Sequence, residues 1–190
     1  MHYLVYLFAI TPIFAAGTPA VDVFLPPILN QEMSIVSIRA QLIANEIFSE
    51  IGLKLVWHLA PAKGLGCSAE PMHRTILIAF SWATPQSFQP TAMAYSNPYM
   101  RGGSCITIFM DRLQTIGRGV PNTASALFGH VLAHEIGHVL QGVTHHAETG
   151  ILKEHWSREE IRGMSWRRLQ FTESDKWLIH AGMNDEPPPL

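Results

Sequence analysis

From Val21 onward the chain alternates between two hydrophobic periods. "VDVFL" (Val21–Leu25) places apolar side chains at every second position, the period of a half-buried strand, and Pro26 and Pro27 end it. In the next segment Ile35, Ile38, Leu42, Ile43, Ile47 and Ile51 recur at steps of three and four. That spacing predicts a helix whose buried face is this isoleucine and leucine stripe, with Ser34 as N-cap and Gly52 as stop. "LKLVWH" (Leu53–His58) alternates again and predicts a second strand, and "TILIAFS" (Thr75–Ser81) predicts a third. Thr91–Tyr95 and Cys105–Met110 read as two further strands, joined by a connection whose Asn97-Pro98 and Gly102-Gly103 favour turns. "RLQTIGRGVPNT" reads as a surface connection. Asn122 or Thr123 then caps a long helix formed by "ASALFGHVLAHEIGHVLQ". Near the C-terminus Thr172 is a further cap, followed by Trp177, Leu178 and Ala181 at helical spacing. Five strands and a few helices without regular alternation imply an α/β (α+β) domain. Its architecture is a small mixed twisted sheet, one backing helix and a long helix against it.

Composition narrows the class. A chain of 190 residues, 47% hydrophobic and 15% charged, suits one packed domain. A net charge of −2 without a Lys/Arg run argues against nucleic acid or anionic lipid as the main partner. The first residues, "MHYLVYLFAITPIFAAGTPA", are apolar from Tyr3 to Ala16 apart from Thr11, and small residues follow. This is the layout of a secretory signal peptide over residues 1–20, too short for a comfortable membrane span. The expected organisation is therefore a leader at 1–20, a domain at 21–183 and a disordered tail at 184–190. The mature chain would be secreted or periplasmic, a monomer without stable membrane insertion. In an oxidising compartment Cys67 and Cys105 are expected to pair.

The chemistry is concentrated in "HEIGHVLQGVTHHAETGIL" (His134–Leu152). His134 and His138 are four apart, which on a helix puts them about 40° apart around the axis and about 6 Å apart along it. Two imidazoles so placed can converge on one zinc ion. Glu135, one step round, can lean over the metal as a base for its water without ligating it. A third ligand on the same straight helix is out of reach, because His145 would lie about 16 Å further along the axis. Gly142 offers a solution, since glycine ends helices in the left-handed conformation and lets the chain return His145 or His146 to the metal. By the same geometry His130, a turn before His134, is not expected to ligate. An alternative places the third ligand on a later helix, at Glu159 or Glu160, as a gluzincin-like hydrolase would. Another makes the site a non-catalytic zinc-stabilised scaffold in an extracytoplasmic binding protein. A purely structural zinc more often recruits a fourth ligand, commonly Cys, and neither cysteine is near.

These residues resemble the HExxHxxGxxH motif of metzincin zinc endopeptidases, the matrixins in particular. One extra residue precedes Gly142, and Leu152 stands where the family's turn methionine falls. The segment is more similar still to a family of small secreted bacterial HExxH proteins with the pattern HEIxHxLQGxxxHSxTGxMK. That resemblance implies His134, His138 and His146 as zinc ligands and Glu135 as the catalytic base. The implied activity is a zinc metallopeptidase hydrolysing peptide bonds in a peptide or protein substrate. "AMAY…GGSCITIF" is similar to the paired strands before the matrixin active helix, which implies that Thr91–Tyr95 pairs with extended substrate. Tyr95 and Tyr99 are the only tyrosines outside the leader, and nothing in the spacing places either at the zinc. Leucine for methionine at residue 152 is a volume-conserving exchange that should leave zinc binding intact.

Overall fold

The computed structural model describes residues 18–28, 31–60, 75–96, 104–117 and 122–184. The leader reading over residues 1–20 lies outside the described residues up to residue 17, as does the tail reading over 184–190 from residue 185 on, and as do Cys67 and Tyr99. Strands β1 (Ala20–Leu25), β2 (Lys54–Leu59), β3 (Thr75–Ser81), β4 (Ala94–Ser96) and β5 (Ser104–Phe109) form one sheet in the order β2-β1-β3-β5-β4. All neighbours are parallel except β4, which pairs antiparallel with β5 and places Ala94 opposite Ile108 and Ser96 opposite Ile106. The mixed sheet and its covering helices are the architecture that the hydrophobic periods predict.

One face of the sheet is the core. Val21, Val23 and Leu25 alternate inward on β1, matched by Leu55, Ile76, Ile78, Ile106 and Ile108 on its neighbours. Helices α1 (Gln31–Ser49) and α3 (Thr123–Gln141) complete that core and pack against each other. α3 is buried on nearly every side, as expected for a helix that is hydrophobic all round. Among the described residues no helix is long and apolar enough to cross a membrane.

Several local expectations are corrected. α1 starts at Gln31, leaving Ser34 inside the helix, and its inward face is rotated from the predicted stripe, of which Ile43, Ile47 and Ile51 still pack inward. Ser37, Ala40, Ala44, Ile47 and Phe48 are buried, whereas Ile35, Ile38 and Leu42 are exposed. The cause is the close approach of α3. A Cβ added at Gly129 would come within 2.7 Å of Ile43 and 2.9 Å of the Ala40 carbonyl. Small residues on both helices permit that crossing, and it outweighs the longer isoleucine stripe.

β4 is shorter than the Thr91–Tyr95 reading, with Thr91 and its neighbour Pro90 in a turn. Met110 leaves the sheet to begin α2 (Met110–Gly117) where a connection was expected. Asp111 in its first turn accepts hydrogen bonds from the Thr84 hydroxyl and amide, while Met110 and Leu113 face the core. Asn122 precedes α3 with φ 64° and gives no side-chain cap, because its Oδ1 accepts from Arg39. α4 (Arg158–Gly163) and α5 (Glu173–Met183) start with capping boxes from Ser157 and Thr172. On α5 Trp177 points outward, and Ile179, Ala181 and Met183 make the contact. Trp166 is also exposed.

Candidate metal centre

α3 carries His134, Glu135 and His138 in two successive turns. Gly142 then takes φ 66°, and its amide donates back to the carbonyls of His138 and Val139. This left-handed cap closes the helix and turns the chain back over it. His146 arrives beside the helix, its ring centroid 4.8 Å from that of His138 and 5.5 Å from that of His134. The chain then folds into a tight loop: the Ala147 amide donates to the Leu152 carbonyl, and Gly150 sits at φ 81°. Leu152 is fully buried beneath α3, against the position where a Cβ on Gly137 would point.

The structure thus brings His134, His138 and His146 together, each offering a ligand atom within 4.8 Å of the others. His145 is exposed and outside this group. Glu160 is held by Lys153 and by the Ser157 amide, and Glu159 is exposed, so neither approaches the three rings. His130 is buried elsewhere, bonded on both ring nitrogens.

The orientation of the rings tests whether a cation fits. His134 Nδ1 lies 2.8 Å from the Ile151 carbonyl, so this nitrogen carries the proton and Nε2 has the lone pair. His134 Nε2 is 3.0 Å from His138 Nε2. Without a cation one of the two must donate, and that role falls to His138. Its Nδ1 is then bare, and this buried atom lacks a well-formed hydrogen bond. A cation facing both Nε2 atoms resolves the conflict, since His138 can then carry its proton on Nδ1 beside the Val143 backbone, which already draws its pKa upward. Tetrahedral zinc at about 2.0–2.1 Å from each nitrogen sets ligands about 3.3 Å apart, close to the spacing of this pair. Among the described residues the three imidazoles have no fourth protein ligand, which is the donor set of an open, catalytic type of site.

Electrostatics favour the ligating forms. Burial lowers the His134 pKa, against the opposing pull of the Ile151 carbonyl and Asp175. Burial and the two neighbouring imidazoles lower that of His138 to about 3. His146 is lowered by burial and by His134. All three rings are therefore neutral at physiological pH, as metal binding requires. Glu135 moves the other way: burial raises its pKa to about 7, opposed by a hydrogen bond from the Ser96 side chain and by His146. A carboxyl poised near neutrality beside a ligand cluster suits general acid–base work.

A groove of about 390 Å³ opens over these residues. It runs from Ala92–Ala94, leading into β4, past His134, Glu135 and His146 to Trp156 and Ile161. Sequence reasoning did not find Ser96, the Ile151 carbonyl or the place of Trp156, whose ring stands edge-on to His134 at 5.5 Å. The first two leave no trace in a motif, because one acts from a distant strand and the other through its backbone.

The fold is similar to that of archaemetzincin from Methanopyrus kandleri, with a TM-score of 0.54 over 91% of this chain and 99% of that one. Sequence identity is 10%, so the likeness is one of fold. No protein-family model and no curated protein sequence matches the chain.

Proposed function

We propose that this chain is a zinc-dependent endopeptidase acting outside the cytoplasm, with His134, His138 and His146 as its metal ligands. The observation that carries the reading is the approach of three imidazole ligand atoms to within 4.8 Å of one another beside the buried carboxyl of Glu135. Archaemetzincin-like architecture supports it at the level of fold, and so does the resemblance of His134–Leu152 to metzincin motifs. The apolar stretch read as a leader over residues 1–20 is the basis for placing it outside the cytoplasm.

Bound zinc would supply Lewis-acid polarisation of the scissile carbonyl and a water of lowered pKa. The chain's own residues do the rest. β4 is at the edge of the sheet, and the segment leading into it lines the groove, so an extended peptide can add alongside it by β-augmentation. Glu135 takes a proton from the attacking water on its carboxylate and delivers it to the leaving amine. The Ser96 hydroxyl, donating to that carboxylate, holds it on the β4 side of the groove. The mostly apolar groove walls, Val131, Met93, Trp156 and Ile161, shelter the reaction from bulk water.

The test is hydrolysis of an unfolded protein by the purified chain loaded with zinc. Cleavage that stops with a chelator and returns with added zinc supports the peptidase. Stoichiometric zinc binding without cleavage of any unfolded substrate would turn the reading into a zinc-stabilised binding protein.

A further inference from the structure

We infer that His130 is a positioning residue for the proposed metal ligand His134, acting through the backbone of the 168–172 strap rather than through the helix they share. His130 is fully buried and uses both ring nitrogens. Nδ1 lies 2.7 Å from the Ala126 carbonyl one turn back, so it donates there, and Nε2 accepts the Leu169 amide at 3.0 Å. That pairing fixes one tautomer and pins the strap to α3 at Leu169. The adjoining residue, Gln170, presents its carbonyl to the Ile151 amide at 3.0 Å. The carbonyl of Ile151 in turn receives His134 Nδ1 at 2.8 Å. Two histidines one turn apart are thus connected through an outside loop: His130 to Leu169, Gln170 to Ile151, Ile151 to His134.

The loop has little slack. Gly150 lies so close to the strap that a Cβ there would meet the Gln170 carbonyl at 2.3 Å. Arg168 is paired with Glu46 on α1, which fastens the strap from its other side. Trp156 donates to the Gly150 carbonyl and stands edge-on to both His130 and His134. An acceptor lost at His130 would orphan the Leu169 amide in a partly buried setting, and the strap would shift to find another partner. Ile151 would follow, and with it the hydrogen bond that aims His134 Nε2. Partners that orient a metal-bound imidazole in this way typically change metal affinity by about 10–100-fold when removed.

For its zinc readout this inference rests on the metal-centre reading; for ring orientation it does not. H130N keeps a donor in reach of the Ala126 carbonyl but is too short for the Leu169 amide, whereas H130Q places an oxygen where Nε2 was. Both are made in the full chain. Zinc affinity is measured by competition with a chelator, and the His134 imidazole ¹⁵N shifts are measured in the metal-free protein. H130N is expected to bind zinc about tenfold or more weakly and to lose the Nδ1-protonated pattern of His134, with H130Q within about threefold of the unsubstituted chain. Should H130N fail to fold, R168A loosens the same strap from the α1 side and must disturb the same His134 shifts. Unaltered His134 shifts and zinc affinity in folded H130N or, failing that, in R168A would overturn the inference, as would an equal loss in H130Q and H130N. An unsubstituted chain that takes up no zinc would refute the metal reading alone, because the ¹⁵N shifts still decide the positioning role.

Discussion

His134 and His138 present their Nε2 atoms to each other at 3.0 Å, while the Nδ1 of the first is committed to the Ile151 carbonyl and that of the second is buried without a well-formed bond. Two imidazoles in this relation compete for one proton, and a cation satisfies both. Alanine at residue 134, 138 or 146 should therefore weaken zinc binding by more than about a hundredfold, beyond what loss of an orienting partner does. H145A, at an exposed ring outside the group, should leave it within about threefold. Zinc competition titration on the four variants measures both. Equal losses for H145A and H146A would contradict this ligand set.

Glu135 should behave in opposite ways in catalysis and in stability. E135Q keeps the shape and the metal ligands but cannot take a proton, so zinc uptake persists and hydrolysis is lost. In the metal-free protein the folded pKa of about 7 stands above the ordinary carboxyl value of 4.5 that the unfolded chain keeps. The folded state therefore holds the extra proton between those values, and stability falls as pH rises through 7. Glutamine removes that cost. E135Q should be more stable than the unsubstituted apo-protein by about 3 kcal/mol above pH 8, a difference that fades below pH 4.5. Urea denaturation at the two pH values checks the sign.

The sheet and the spacing of the clustered histidines were legible in the sequence for physical reasons. A strand's period of two and a helix's four-residue step are local properties, so Val21–Leu25 and the pair His134 and His138 are readable without tertiary knowledge. The break at Gly142 was legible too, since a left-handed cap has a residue preference of its own. What failed was rotational choice. α1 offers two apolar faces, and only the depth to which Gly129 of α3 approaches Ala40 selects between them. Ser96 and the Ile151 carbonyl were invisible because each meets the site through a long-range contact. No spacing along α3 encodes them.

The two glycines around the site should tolerate alanine differently. Gly142 has φ 66° and no atom within 4 Å of an added Cβ, so G142A bears only the left-handed backbone cost, about 1 kcal/mol. Gly150 combines φ 81° with a Cβ that would meet the Gln170 carbonyl at 2.3 Å. G150A must move either the 147–153 loop or the strap, and should cost more than about 2 kcal/mol. It should also weaken zinc binding, because the loop carries the Ile151 carbonyl. Paired denaturation curves and zinc titrations separate the two positions; equal and small effects would mean that the loop yields easily.

Acid should unfold the metal-free protein earlier than its carboxylates alone would require. Burial lowers the pKa of His130 to about 4 from the ordinary imidazole value of 6.5. The unfolded chain therefore binds the proton first, and the stability contributed by neutral His130 is complete above 6.5 and is lost as pH falls through 4. The full difference is about 3 kcal/mol, enough to matter against the roughly 5–15 kcal/mol that holds a domain together. Protonation at Nε2 would also expel the Leu169 amide, since a doubly protonated ring has no acceptor to offer. H130Q cannot titrate, so its stability should fall less steeply between pH 6.5 and 4 than that of the unsubstituted chain. His134, His138 and His146, all lowered in the same direction, keep part of the slope in both proteins. Denaturation midpoints across that range decide the matter: parallel curves for H130Q and the unsubstituted chain would show that His130 already carries its proton in the folded state.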